Sequence, residues 1–294
     1  MRKSNRILAR TFKYLNRLNF CQHKEGYFKH ISVLKQIPYE IYDLEPTNNN
    51  YVYRAVMNQP NIHFTNISRI AFNPSPNYIS RANLSKQPIA YYACAYDTAL
   101  IEACHDKLRQ SNERSFLLTV SKWKVVKKVP VQIICNCPQT QKAGTDLYYF
   151  YDKCRLKRKS MLPAKKYRTW FLKTRFISEQ FAKEANDNMD YYITARYSSQ
   201  ILTKTEIKGI IYPSVQYLYK GFNYAFSPIL FQNGSFCLES ISEYRVSFDK
   251  KDITKYPIIK LEKSTCNFFN DNIIGTFIKY YKISQLIHTQ SIAN

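Results

Sequence analysis

The chain has 294 residues, 45% of them hydrophobic and including 25 Tyr and 18 Phe, which excludes intrinsic disorder, while only 6 Gly and 12 Pro exclude collagenous or low-complexity architecture. It carries 44 Lys and Arg against 21 Asp and Glu, a formal charge of +23 at pH 7. No stretch approaches the roughly 18 uninterrupted apolar residues of a membrane-spanning helix. The basic, amphipathic Met1–Phe20 lacks the apolar run and cleavage site of a secretory signal, so a cytoplasmic location with no membrane partner is expected. Eight scattered Cys in a chain of this length are expected to be reduced thiols.

Residues 1–45 read as a basic N-terminal extension closing at Pro46 and the turn-forming Asn48, Asn49 and Asn50. Cys21, His23 and His30 within it fit no standard zinc spacing, and no metal site is expected. The main domain spans 46–250, with an inserted basic stretch at about 138–167, and 251–294 form a C-terminal extension. Ile89–Ala93 predicts a strand after Pro88, followed by a helix that Asp97 caps and that runs to about Arg109, with Leu100, Cys104 and Leu108 on one face. Ser115–Ser121 and Lys124–Cys135 predict two strands joined as an antiparallel pair. Asp146–Arg158 and Lys165–Ala185 predict helices broken at Pro163, and Glu206–Tyr212 and Asn223–Phe231 predict further strands. Strands and helices mix without strict alternation, so the fold class is α+β.

The sequence contains no P-loop, GxGxxG, HExxH or CxxC, which removes the commonest nucleotide, protease and redox signatures. Chemistry must come from looser constellations. Tyr53-Arg54-Ala55, Ser80-Arg81-Ala82-Asn83, Pro88-Ile89-Ala90-Tyr91 and Thr98 to Glu102 gather two arginines, a strand tyrosine and a helix glutamate in one segment. Tyr212-Pro213-Ser214 and the following Gly221-Phe222-Asn223 end a strand on a hydroxyl and then supply an amide.

In this order and spacing the motifs resemble the RES-domain family, toxin components of bacterial toxin–antitoxin pairs, over roughly Val52–Val246. The family's first Arg falls on Arg54, its second on Arg81, its Tyr on Tyr91, its Glu on Glu102, its Ser on Ser214 and its downstream Asn on Asn223. Ser80 replaces the family glycine and Ala82 the usual aromatic. Ser68, Arg69, Phe72, Asn73 and Pro74 form a looser copy of the second element, which makes Arg69 the alternative to Arg81.

The resemblance implies a core similar to ADP-ribosyltransferases, with a mainly antiparallel, split sheet flanked by helices. It also implies an enzyme that cleaves the nicotinamide–ribose bond of NAD+, by hydrolysis or with inorganic phosphate as co-substrate, and that a protein antitoxin restrains. Catalytic roles then fall to Glu102, Arg54 and Ser214, and substrate binding to Arg81, Tyr91, Asn223 and Arg69, with no cofactor or metal. The residue types suit that chemistry: a fixed carboxylate stabilises an oxocarbenium-like centre, forked guanidinium groups grip pyrophosphate, and an aromatic face receives a flat ring. Transfer of ADP-ribose to a macromolecule breaks the same bond and is the alternative activity. A non-enzymatic nucleic-acid-binding protein is the further alternative, and nucleic acid is the less favoured partner, because Lys spread over a solvated surface accounts for net charge alone. The acid-free basic run from Lys153 to Arg175 is a candidate landing site for the antitoxin or for substrate phosphates, with nucleic acid the less favoured occupant against a solvated helical face.

Overall fold

Alternating apolar residues build strands that a single sheet collects. The computed structural model describes residues 2–17, 34–35, 37–59, 62–110, 112–203, 206–248, 258–269, 272–276 and 281–282. The described elements begin with helix α1 (Arg2–Arg17), strands β1 (Tyr42–Leu44) and β2 (Tyr51–Met57), helix α2 (Ile67–Ala71), strand β3 (Ala90–Ala93) and helix α3 (Tyr96–Gln110). Strands β4 (Ser115–Val125) and β5 (Val129–Ile133) precede helices α4 (Pro138–Ala143), α5 (Asp146–Met161) and α6 (Ala164–Phe181). A 3-10 turn (Asn188–Tyr191) leads into helix α7 (Tyr192–Leu202), strands β6 (Gly209–Pro213) and β7 (Phe222–Phe226), and helix α8 (Ile229–Gln232). Strands β8 (Phe236–Phe248), β9 (Ile258–Phe269), β10 (Asn272–Thr276) and β11 (Tyr281–Lys282) follow. The fold class is α+β.

The sheet order is β1-β5-β6-β7-β3-β2-β4-β8-β9-β10, with β11 on β9, and among the described strands only β5 and β6 run parallel. Its two halves meet at β2 and β3, which share one residue pair, Tyr53 with Ala93. The helix expected after Asp97 forms, and it buries Leu100, Cys104 and Leu108 against Phe116, Leu118 and Val120 of β4. Burying such side chains stabilises by about 1.5–3 kcal/mol each, which fixes α3 across this half of the sheet. On the other half, α6 and α7 bury Phe176, Phe181, Ile193 and Tyr197 with Ile210 and Tyr212 of β6, and α1 adds Phe12 and Leu15. Gly209 opens β6 because a Cβ there would stand 2.6 Å from the Phe226 ring.

Two sequence expectations change. The segments 115–121 and 124–135 do not pair: β4 continues to Val125 and both its edges are taken, by β2 and β8, while β5 crosses to lie between β1 and β6. The bend follows where the Val126 and Lys127 amides both turn to the Ser235 carbonyl. The strand expected over Asn223–Phe231 stops at Phe226, because Pro228 has no amide to donate and begins the turn into α8. Among the described residues no helix is long and apolar enough to cross a membrane.

Candidate active site

Helix α3 starts at Tyr96, one residue ahead of the expected cap, so Asp97 lies in its first turn, where its charge suits the helix N-terminus and its Oδ1 accepts from the Thr98 amide at 2.6 Å. The Tyr217 hydroxyl donates to the other Asp97 oxygen at 2.9 Å, which ties the β6–β7 loop to this end of the helix. The loop itself is closed by the Ser214 amide on the Gly221 carbonyl (2.9 Å) and the Tyr219 amide on the Ser214 carbonyl (2.8 Å). Closing it puts Leu218 and Tyr219 at φ 51° and 62°, left-handed values that bulky side chains rarely adopt. At Gly221 a Cβ would meet Thr98 Oγ1 at 2.5 Å, so glycine lets the loop lie directly on α3.

That close approach sets the carboxylate of Glu102. Ser214 Oγ donates to Glu102 Oε1 at 2.5 Å, and Asn223 Nδ2 donates to the same oxygen at 2.6 Å. The Tyr217 amide donates to Ser214 Oγ at 3.1 Å, filling its acceptor side and leaving its proton for Glu102. Ser214 is 0% exposed and does not line the cleft that Glu102 faces. Its place is behind the carboxylate, away from the cleft. Among the described residues no hydrogen bond reaches Glu102 Oε2, so one oxygen is held and the other is left to the cleft.

Arg54 occupies the seam of the sheet. Past the single Tyr53–Ala93 pair the strands part, and Arg54 Nη1 donates to the Tyr91 carbonyl at 3.0 Å, taking the place of a ladder hydrogen bond. Its Nε is buried and has no hydrogen-bond partner among the described residues, and burial pulls the Arg54 pKa below the ordinary arginine value. Arg81 arrives differently. Ser80 and Asn83 bridge a tight turn, and the Tyr91 hydroxyl holds that turn by accepting from the Ala82 amide (2.9 Å) and donating to Asn83 Oδ1 (2.8 Å). From the turn Arg81 Nη1 donates to the carbonyls of Phe181 (2.6 Å) and Lys183 (3.0 Å), satisfying the end of α6. Its guanidinium carbon sits 4.7 Å from the Tyr191 ring centroid. Its Nη2 donates to the Tyr191 hydroxyl at 3.4 Å, so three of its donors are committed within the protein. Burial pushes the Tyr91 and Tyr212 hydroxyl pKa values above the ordinary tyrosine range, so both remain neutral donors at physiological pH.

These residues surround a cleft of about 300 Å³. Of the residues picked from the sequence, Arg54, Arg81, Tyr91, Glu102 and Asn223 line it, and Ser214 supports it from behind. Arg69 is not brought to it; it stands exposed in the last turn of α2. The cleft also takes in Tyr78, Asp106, Tyr191 and Gln216, which the sequence reading missed. Asp106 was discoverable, since it lies one helical turn beyond Glu102 on the same helix. A hydrogen bond with His105 holds its carboxyl below the usual range. Tyr78 and Tyr191 sit in a loop and a short turn whose sequence has no periodicity to mark them.

Among the described residues no three His, Cys, Asp or Glu side chains gather to hold a metal ion, and Cys21, His23 and His30 lie outside those residues. No family model matches the chain, and no curated protein matches it.

Proposed function

We propose that the cleft binds NAD+ and breaks the bond between its nicotinamide and ribose. The chief support is Glu102, a carboxylate fixed through one oxygen by Ser214 and Asn223 in a cleft that also holds the Arg54 guanidinium. As the C1′–N bond breaks, nicotinamide leaves with the bonding electron pair as a neutral ring and the ribose becomes oxocarbenium-like. The free oxygen of Glu102 then faces developing positive charge, the kind of preorganised interaction that lowers a barrier most. Water attacks C1′ and gives up a proton to solvent, or the inorganic phosphate dianion adds there with none to lose, and the exchange is complete. Arg54 serves the pyrophosphate; Tyr78 and Tyr191 offer flat faces for the rings.

The ordered set Arg54, Arg81, Tyr91, Glu102, Ser214 and Asn223 adds the resemblance to RES-domain toxins. In this reading the narrow seam at Tyr53–Ala93 is the split of an ADP-ribosyltransferase-like sheet, and the enzyme is a cytoplasmic toxin restrained by a protein antitoxin. Incubating the purified protein with NAD+, with and without inorganic phosphate, tests it. Nicotinamide with ADP-ribose means hydrolysis, nicotinamide with ADP-ribose 1-phosphate means phosphorolysis, and a modified macromolecule means transfer. No release of nicotinamide under any condition overturns the proposal.

A further inference from the structure

A second concave surface lies at the other end of α6. Helix α1 runs parallel to α6: Thr169 Oγ1 donates to Asn5 Oδ1 at 2.9 Å, the Phe12 and Phe176 rings stack at 4.1 Å, and Asn16 bonds Gln180. Between the first turns of the two helices opens a groove of about 660 Å³, walled by Arg6, Lys165 and Arg168 and floored by the small side chains of Ala9 and Ala164. It is a separate place from the cleft. From Arg168 to Phe181, whose carbonyl Arg81 holds, α6 rises about 20 Å at 1.5 Å per residue.

The charge here is of one sign and regularly spaced. Arg6, Arg10, Lys13 and Arg17 recur every three or four residues along α1, and all four are exposed. That places cations on one stripe about 5.4 Å apart per turn. Lys165, Lys166 and Arg168 are exposed across the groove, and Lys157 and Lys159 are exposed at the end of α5, two residues of chain before α6. Neither α1 nor the stretch from Lys153 to Ser178 contains an acidic residue. Other cations nearby are already neutralised: Arg155 by Asp152, Arg158 by Glu40 and Arg175 by Glu179. Among the described residues no carboxylate pairs with Arg6, Arg10, Lys13, Lys165, Lys166 or Arg168.

We propose that this α1–α6 face binds the phosphodiester backbone of a nucleic acid. A row of cations repeating once per helical turn matches a polymer that carries one charge per repeat, and release of counterions from such a polymer supplies the affinity. An acidic protein offers such a row only where one of its helices repeats carboxylates once per turn, whereas a nucleic acid carries it along its whole length. An inhibitor seated on the groove would also stand about 20 Å along α6 from the cleft it has to cover. The proposal holds whatever reaction the cleft performs.

Fluorescence anisotropy with short labelled RNA and DNA strands and a duplex, titrated across ionic strength, provides the test. The full chain should bind in low salt and weaken steeply as salt rises. The quadruple variant Arg6→Gln, Arg10→Gln, Lys165→Gln, Arg168→Gln should lose affinity about tenfold or more and flatten the log–log salt slope by about 3 for a single strand. Glu102→Gln should bind as wild type does. The double variant Lys165→Gln, Arg168→Gln should show a smaller loss in the same direction, and thermal melting checks that each variant is folded. Absence of binding in low salt overturns the proposal, as does unchanged affinity in a folded quadruple variant. A polyglutamate probe that binds through these four residues where nucleic acid does not also overturns it, in favour of an acidic protein partner.

Discussion

Ser214 and Glu102, 112 positions apart in sequence, are joined by a 2.5 Å hydrogen bond in which the serine is the donor. The serine hydroxyl is thereby spent on the carboxylate, and its other side is filled by the Tyr217 amide. Ser214→Ala is therefore expected to lower kcat while leaving KM near wild type. A hydrogen bond to a charged group is worth about 1.5–3 kcal/mol, so the fall should be roughly 10- to 100-fold. Steady-state NAD+ kinetics check the split; a rise in KM with unchanged kcat would move Ser214 to the substrate.

Glu102→Gln keeps an acceptor for Ser214 and Asn223 but removes the negative charge. Turnover should fall by about 100-fold or more with the melting temperature nearly unchanged. Nicotinamide release and thermal melting measure both, and a variant with over half the wild-type rate excludes Glu102 from the chemistry.

The three candidate arginines should separate by readout. Under the proposed function Arg54→Lys loses a forked grip on the pyrophosphate and should raise KM for the dinucleotide. Arg81→Lys removes bonds that close α6, so it should lower stability by about 1–3 kcal/mol as well as activity. Arg69→Lys, on an exposed helix end, should change neither. Denaturant melts and kinetics on the three variants decide, and a crippled Arg69→Lys beside a silent Arg81→Lys reverses the assignment.

Alkaline stability provides a test independent of catalysis. Burial pushes the Cys104 and Cys135 thiols up from 9.0 to about 12. Above pH 9 the unfolded chain ionises these thiols while the folded chain does not, so the folded state holds more protons and stability must fall as pH rises from 9 to 12. Denaturant midpoints at pH 8 and above pH 10 should show the drop, and Cys104→Ala with Cys135→Ala should reduce its steepness, apart from their packing cost.

Helix α3 and its glutamate were legible because Asp97 and the Leu100, Cys104, Leu108 spacing are local signals. The partners of β4 were not, because its neighbours β2 and β8 lie far away in sequence and adjacency in the chain is a poor guide to pairing in a sheet this wide. The same holds for Arg81. Arg81 stood out as a candidate, yet its bonds to Phe181 and Lys183 span about a hundred residues, and nothing near it announces that it closes a helix. Ser214 was legible as a hydroxyl at the end of a strand but not as the partner of Glu102, since only the loop's descent onto Thr98 turns that hydroxyl inward.

At Tyr53 and Ala93 the two halves of the sheet share one strand pair, and Arg54 donates to the Tyr91 carbonyl beside it. Under the proposed function a phosphate held by Arg54 would draw on the guanidinium that makes this bond. Occupancy of the cleft and closure of the seam would then be linked quantities, each altering the other by the same free energy. Amide exchange along β2 and β3 would therefore register a ligand that never touches those amides.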